Sequence, residues 1–352
     1  MRIIVTGGAG FIGSAMIRFL VDKTDHDILN IDLLTYAGNL SNLNDIEISE
    51  NYSFRKGDIA DAIFVKEVFS NFQPDAIINF AAESHVDRSI DGPKQFIQTN
   101  ILGTFTLLEE SRRYLENHPK TRKNFRFMHI STDEVYGDLE LNDSPFKEDN
   151  KYLPSSPYSS SKASSDHLVR AWNRTFEIPT LITNCSNNYG PFQFPEKLIP
   201  LVILNALDHK PIPIYGDGSQ IRDWLFVDDH VKGIYSVLTK GMIGETYNIG
   251  GSNEFTNLSV VNLICEILDD LKPINSKKYR KYSELITFVA DRAGHDKRYA
   301  IDSSKIAENL NWSPEETFSS GLKRTVEWYI KNIPWCESVM DGKYNLERLG
   351  KT

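Results

Sequence analysis

Arg2-Ile3-Ile4-Val5-Thr6-Gly7-Gly8-Ala9-Gly10-Phe11-Ile12-Gly13 follows the first methionine, and its reading decides the fold. The run Arg2 to Thr6 is largely β-branched and predicts a short strand. Glycines stop it, and Ser14 to Val21, with Ala15, Ile17, Leu20 and Val21 apolar, reads as a helix. Strand, glycine turn and helix are the context that a dinucleotide-binding fingerprint needs. Gly8, Gly10 and Gly13 satisfy GxGxxG, and Gly7 with Gly10 and Gly13 satisfies GxxGxxG. Glycines there permit a tight turn and let backbone approach a pyrophosphate at the helix N-terminus. Asp32 closes the next apolar run, Ile28 to Ile31, about 20 residues on. A carboxylate at that place accepts hydrogen bonds from an adenosine ribose and repels a 2′-phosphate, so the expected cofactor is NAD rather than NADP.

Apolar runs recur at Tyr52 to Arg55, Ala76 to Phe80, Phe125 to Ile130 and Leu181 to Cys185. Helical patterns lie between them at Ala62 to Phe69, Phe96 to Leu115 and Tyr158 to Phe176. This alternation predicts an α/β protein with a Rossmann-type, doubly wound parallel sheet over residues 1–186. In such sheets ligands sit beyond the carboxyl ends of the strands, where Asp32, Ala81 and Thr132 all fall. Asp58 with Ile59 can bracket an adenine edge, or Asp58 can cap the next helix. Small residues at Ala81, Ala82 and Ser84 leave room for a cofactor ribose and phosphate. His85 reads as structural. After residue 186 prolines break the chain into short pieces, and a smaller mixed α/β substrate lobe is expected over 187–352, with segments near 224–250 returning to the first domain. Asp228-Asp229-His230 is expected to cap a helix there.

The totals bound the partners. The 352 residues carry a formal charge of −9, which argues against nucleic-acid and anionic-membrane binding. Any anionic ligand must meet a local cluster of cations. Cys185, Cys265 and Cys336 are far apart, form no metal spacing and read as reduced thiols of a cytoplasmic protein. The chain enters its first strand directly, so no signal peptide is expected, and no apolar run is long enough to span a membrane.

Two stretches carry chemistry. Ser131-Thr132-Asp133-Glu134-Val135-Tyr136-Gly137 sets a hydroxyl and two adjacent carboxylates after the fifth strand. Tyr158 and Lys162 stand four residues apart, on one helical face. A phenol beside a fixed ammonium is expected to ionise below its usual value of about 10 and to take a proton from an alcohol. Two carboxylates in one site do not ionise independently, so one can stay protonated while the other accepts.

GGAGFIG, YxxxK and the hydroxyl before the carboxylates resemble the extended short-chain dehydrogenase/reductases. Thr35-Tyr36-Ala37-Gly38-Asn39-Leu40, Ala82 to Ser89, the Thr-Asp-Glu triplet, Asn187-Asn188-Tyr189-Gly190-Pro191 and Arg222-Asp223-Trp224 are similar to the nucleotide-sugar 4,6-dehydratases among them. The resemblance covers residues 1 to about 330. It implies a tightly bound NAD, regenerated each turnover and held by Gly7, Gly10, Phe11, Ile12, Asp32, Asp58, Ile59, Ala81, Ala82, Ser84, Thr99, Tyr158 and Lys162. It implies a nucleotide-diphosphate sugar substrate held by Ser84, Thr132, Asn187, Lys197, Leu198, Arg222, Asn257, Arg292 and His295. Tyr158 is implied as the base at the 4-hydroxyl with Thr132 beside it, Glu134 as the base at carbon 5 and Asp133 as the acid at the 6-hydroxyl. A homodimer is implied, with the helices near 96–115 and 158–176 forming a bundle. A 4-epimerase is the competing reaction on this fold; the paired carboxylates argue against it.

Overall fold

The computed structural model describes residues 1–276, 278–291, 294–342 and 344–346. Seven strands form its main sheet: β1 Arg2–Thr6, β2 Asp27–Asp32, β3 Tyr52–Lys56, β4 Ala76–Asn79, β5 Arg126–Thr132, β6 Thr180–Cys185 and, after three strands that lie outside it, β10 Thr246–Ile249. Those three are β7 Asn187–Tyr189, β8 Ile212–Tyr215 and β9 Ile221–Phe226; β11 Glu254–Thr256 and β12 Ile286–Val289 follow. The order across the main sheet is β10-β6-β5-β4-β1-β2-β3, every pairing parallel. Such a sheet is covered on both faces, which is why β4, β6 and β10 are buried along their whole length.

One covering layer packs Met16, Ile17 and Leu20 of the helix Phe11–Lys23 with Val231, Ile234 and Val237 of the helix Val227–Lys240. The other packs Val65 and Phe69, Leu107 and Leu108, and Val169, from helices Ala62–Phe72, Thr104–Asn117 and Pro157–Phe176. The chain runs outward from β1 through β2 to β3, then returns to the other side of β1 at β4. That reversal opens a crevice at the carboxyl ends of β1 and β4, where the glycine loop lies. A third core, around Ile203, Trp224, Ile264, Phe318 and Leu322, lies against the β7-β9-β11 sheet and the β8-β12 pair.

Several expectations change. The single helix over Phe96 to Leu115 is in fact broken: Pro93–Phe96, a wide π-helical turn at Ile97–Gly103, then Thr104–Asn117. Asn100 in the wide turn donates from Nδ2 to the Glu83 carbonyl at 3.0 Å and to Ser161 Oγ at 2.8 Å, and its Oδ1 accepts from the Glu83 amide at 2.9 Å. Gly103, where a Cβ would lie 2.5 Å from Ile59, lets the helix come close. The cap of the next helix is Asp61, not Asp58; its carboxylate accepts from the amides of Ile63 and Phe64. Asp228-Asp229-His230 lies inside the first turn of Val227–Lys240 instead of capping it, and Asp229 accepts from the amides of Glu315 and Glu316. A further helix, Ile333–Met340, follows the one expected to be last. Among the described residues no helix is long and apolar enough to cross a membrane.

Candidate active site

Gly7 takes φ +68°, and a Cβ there would lie 2.6 Å from the Ala81 amide, so the glycine loop rests directly on the end of β4. A Cβ on Gly13 would overlap the Gly7 carbonyl. At Gly10, by contrast, the added carbon would meet only Gly7 O, at 3.2 Å. Gly10 also caps the first helix, so a cradle stands open at that helix N-terminus, and its shape fits the pyrophosphate of a dinucleotide. A cleft runs from this loop past Asp32, Asp58, Ile59 and Thr99 to Thr132, Tyr158 and Lys162. All the residues expected to hold the cofactor line it, including Phe11, Ile12, Ala81, Ala82 and Ser84. Asp32 accepts from the amides of Ala9 at 2.9 Å and Leu34 at 2.8 Å, one on each carboxylate oxygen, leaving lone pairs for a ribose. Burial raises its pKa.

At the inner end of the cleft β5 finishes at Thr132, whose hydroxyl donates to Asp133 Oδ1 at 3.2 Å and accepts from the Glu134 amide at 3.3 Å. Asp133 is 2% exposed, and its Oδ2 is buried without a hydrogen-bond partner among the described residues. Burial, then the charges of Glu134 and Asp223, push its pKa well above the ordinary carboxylate value. A protonated Asp133 beside a more exposed Glu134 is a donor beside an acceptor.

The expectation of a depressed Tyr158 pKa is overturned. Burial, then the Glu134 charge, pushes the phenol well above 10. Lys162 is equally buried; its Nζ donates to the Ile130 carbonyl at 2.7 Å. Burial lowers its pKa, and Asp166 is the leading group that raises it. The four-residue spacing shows the phenol and the ammonium but not the anions Glu134 and Asp166 that share their space.

A second chamber adjoins the first and is lined by Lys197, Leu198, Arg222, Asn257 and His295, with Tyr215 and Tyr299. Glu134, Asn187, Glu196 and Lys197 line both spaces. Ser84 and Thr132 line the cofactor cleft only, and Arg292 lies outside the described residues. Arg222 donates to the carbonyls of Ile221 at 2.7 Å and Asp296 at 3.0 Å, with its guanidinium 4.3 Å from the Tyr299 ring centre. The neighbouring Asp223 accepts instead from the amides of Gly251 and Asn253. Lys197 Nζ donates to the Ser84 carbonyl at 3.0 Å, and His295 Nδ1 lies 2.6 Å from Asp291 Oδ1. His85 lines this chamber, with Nε2 3.4 Å from the Glu196 carbonyl.

Sequence reasoning missed Glu196, whose side chain is 2% exposed. It accepts from Arg88 Nε at 2.7 Å and Tyr36 OH at 2.9 Å, while the Arg88 guanidinium lies 3.8 Å from the Tyr36 ring centre. These three groups tie the loop after β2, the short helix Val86–Asp91 that follows β4 and the segment before helix Leu198–Leu207 together where the two spaces meet. The local sequence carries no signal for it, because the partners lie 108 and 160 residues away.

The GDP-mannose 4,6 dehydratase family matches residues 4–325. A dTDP-glucose 4,6-dehydratase from Neisseria meningitidis is 57% identical over 350 residues, covering 99% of each chain. A dTDP-glucose 4,6-dehydratase from Streptomyces venezuelae, solved with NAD and TYD bound, superposes with a TM-score of 0.87 at 43% identity, over 96% of this chain and 100% of that one. A UDP-glucose 4-epimerase from Thermotoga maritima, solved with UDP-glucose, reaches 0.82 at 28% identity, over 95% and 100%.

Proposed function

The chain belongs to the GDP-mannose 4,6 dehydratase family of extended short-chain dehydrogenase/reductases, and on that premise we propose that it converts dTDP-glucose to dTDP-4-keto-6-deoxyglucose and water. The observation that carries this reading is the adjacent carboxylate pair, with Asp133 buried and its pKa raised and Glu134 open to both spaces. An epimerase has no elimination to perform and no use for such a pair.

Tyr158 removes the proton from the sugar 4-hydroxyl, and the Thr132 hydroxyl hydrogen-bonds the same oxygen. Bound in the glycine-lined cleft, NAD supplies the acceptor and later the donor of hydride, while its nicotinamide charge favours the Tyr158 phenolate. Once carbon 4 is a ketone the proton on carbon 5 is acidic, and Glu134 takes it as general base. Asp133 protonates the departing 6-hydroxyl, which leaves as water. Glu134 finally returns a proton to carbon 5. Arg222, Lys197, Asn257 and His295 hold the nucleotide diphosphate, with Asn187 at the junction and Arg292 added from the resemblance. In a chain of charge −9, Lys197 and Arg222 bring two cations to the chamber where an anion must bind.

The division of labour follows: residues 1–186 with β10 serve the cofactor, and most of 187–352 serves the nucleotide sugar. Buried thiols at Cys185, Cys265 and Cys336 agree with a cytoplasmic enzyme. The exposed side chains of Ile97, Leu102, Phe105 and Phe176 support a homodimer formed by the helices that carry them. Sedimentation at working concentration tests this: a Phe105→Glu chain is expected to shift toward monomer, and a wild-type monomer would sink the assembly.

Turnover of dTDP-glucose in deuterated water tests the reaction. Loss of one water, a new methyl at carbon 6 and solvent deuterium at carbon 5 are expected. An isomer of unchanged mass altered at carbon 4 would mean an epimerase.

A further inference from the structure

One turn beyond Lys162 on the same helix, Asp166 is fully buried and plays no part in the steps above. Its Oδ2 accepts from Ser131 Oγ and from Tyr152 OH, both at 2.9 Å. Its Oδ1 faces His129 Nε2 at 3.4 Å. His129 Nδ1 lies 3.2 Å from Asn79 Nδ2, a group that only donates, so the proton of the neutral ring sits on Nε2 and points toward Asp166. Burial keeps that ring neutral, with its pKa held down to about 4. Tyr152 OH itself accepts from Arg170 at 2.6 Å and Asn184 at 3.1 Å, which leaves its proton for Asp166.

The carboxylate therefore accepts on one oxygen from β5 and from the loop before the helix, and its other oxygen faces the His129 ring of β5. Burial alone would raise its pKa, but His129, Lys162 and Arg170 together hold it below the ordinary value. Lys162, for its part, has Tyr158 and Asp166 on its own helix, the Ile130 carbonyl and the neutral His129 ring from β5 and Cys185 from β6 around it. A buried ammonium without a counter-charge gives up its proton.

We propose that Asp166 is the counter-ion and positioning residue of Lys162. It keeps the ammonium charged beneath Tyr158. Through Ser131, the residue before Thr132, it also ties the end of β5 to the helix that carries the base. This rests on the dehydratase reading of Tyr158 and Lys162.

The test is the pH profile of dTDP-glucose dehydration by the full-length protein with NAD, for wild type, Asp166→Asn and Asp166→Glu. Removing the anion lowers the Lys162 pKa, so the alkaline limb of the Asp166→Asn profile should move down by about 1 unit or more, the scale of a close opposite charge. Asp166→Glu keeps the anion and should restore the limb at reduced rate. A uniform loss of rate with the limb unmoved is the signature of a structural role alone and overturns the proposal. In a Lys162→Ala background Asp166→Asn should cost little more; additive losses overturn it as well. Should Asp166→Asn fail to fold, Tyr152→Phe leaves the charge in place and strips one donor from it. The carboxylate then protonates at higher pH, and the acid limb should move up; a fixed acid limb counts against the proposal. Wild-type protein that leaves dTDP-glucose unchanged removes the assigned reaction and the inference together. Active wild type with unmoved limbs removes the inference alone.

Discussion

The substitution Asp133→Asn separates the two proton transfers. The amide has the same shape, and its carbonyl oxygen can still accept the Thr132 hydroxyl, which lies 3.2 Å from Asp133 Oδ1 in the parent. It cannot deliver a proton to a leaving hydroxyl. General acid catalysis contributes about 10²–10⁴ in rate, about 3–5 kcal/mol of barrier, so water loss should slow by that factor. Glu134 is untouched, so exchange of the carbon-5 proton with solvent should continue near the parental rate. The assay is deuterium incorporation into recovered dTDP-glucose against methyl formation in product, followed in one sample by NMR. Stability supplies a second reading. The folded-state pKa of Asp133 lies above its unfolded value, so the native state keeps a proton the unfolded chain has released, and stability falls as pH rises through that window. The amide lacks the titration, so the variant should gain on the parent as pH rises. Equal loss of exchange and dehydration, or dehydration at the parental rate, would refute the assignment of Asp133 as the acid.

Three further outcomes are expected. Gly13→Ala sets a methyl against the Gly7 carbonyl, which is backbone and has little room to give; it should cost about 1–3 kcal/mol in a thermal or denaturant melt and leave the purified protein without bound NAD. Arg88→Met removes the cation from a Glu196 side chain that is 2% exposed; breaking a buried pair costs about 3–5 kcal/mol, and since Arg88 is 26% exposed we expect about 2 kcal/mol, with much of the loss recovered by adding Glu196→Gln. His129 is held neutral with a folded pKa of about 4 against 6.5 for the ordinary group, so the unfolded chain binds the extra proton and stability falls as pH drops between those values. His129→Gln should therefore flatten the dependence of unfolding free energy on pH by about one proton there, and an unchanged slope would show that the ring is already charged.

How much of this was legible depended on the range of the interactions. Strand β1, the glycine turn, the following helix and Asp32 lie within 32 residues and obey a local pattern, so the sequence alone places the cofactor cradle. The parallel sheet was legible for a related reason: strands buried on both faces read as continuous apolar runs. The sequence leads one to expect segments near 224–250 to return to the first domain, but the place of β10 beside β6 is not legible in it, because the pairing spans more than 60 residues and has no local mark. The π-helical turn at Ile97–Gly103 was invisible, because its periodicity differs from an α-helix by little and the contacts Asn100 makes from it, to Glu83 and Ser161, are distant in the chain. Glu196 was invisible for the same reason: an acid in an apolar segment reads as a surface residue until Arg88 and Tyr36 are brought to it.

The error over Tyr158 is the most instructive, because it concerned sign and not position. Spacing placed the phenol and the ammonium on one helical face, and the structure leaves them there. The direction of the pKa shift, however, is decided by everything that shares the burial, and the largest effect is loss of water, which acts against the charged forms of both groups. Close opposite charges overcome that cost only when each ion is also hydrogen-bonded and countered. On the protein side Lys162 has Asp166 and the Ile130 carbonyl, whereas Tyr158 faces Glu134, an anion that disfavours phenolate. On the proposed mechanism the phenol needs a further positive charge in the cleft, and the nicotinamide of a bound oxidised dinucleotide would supply one and favour the phenolate.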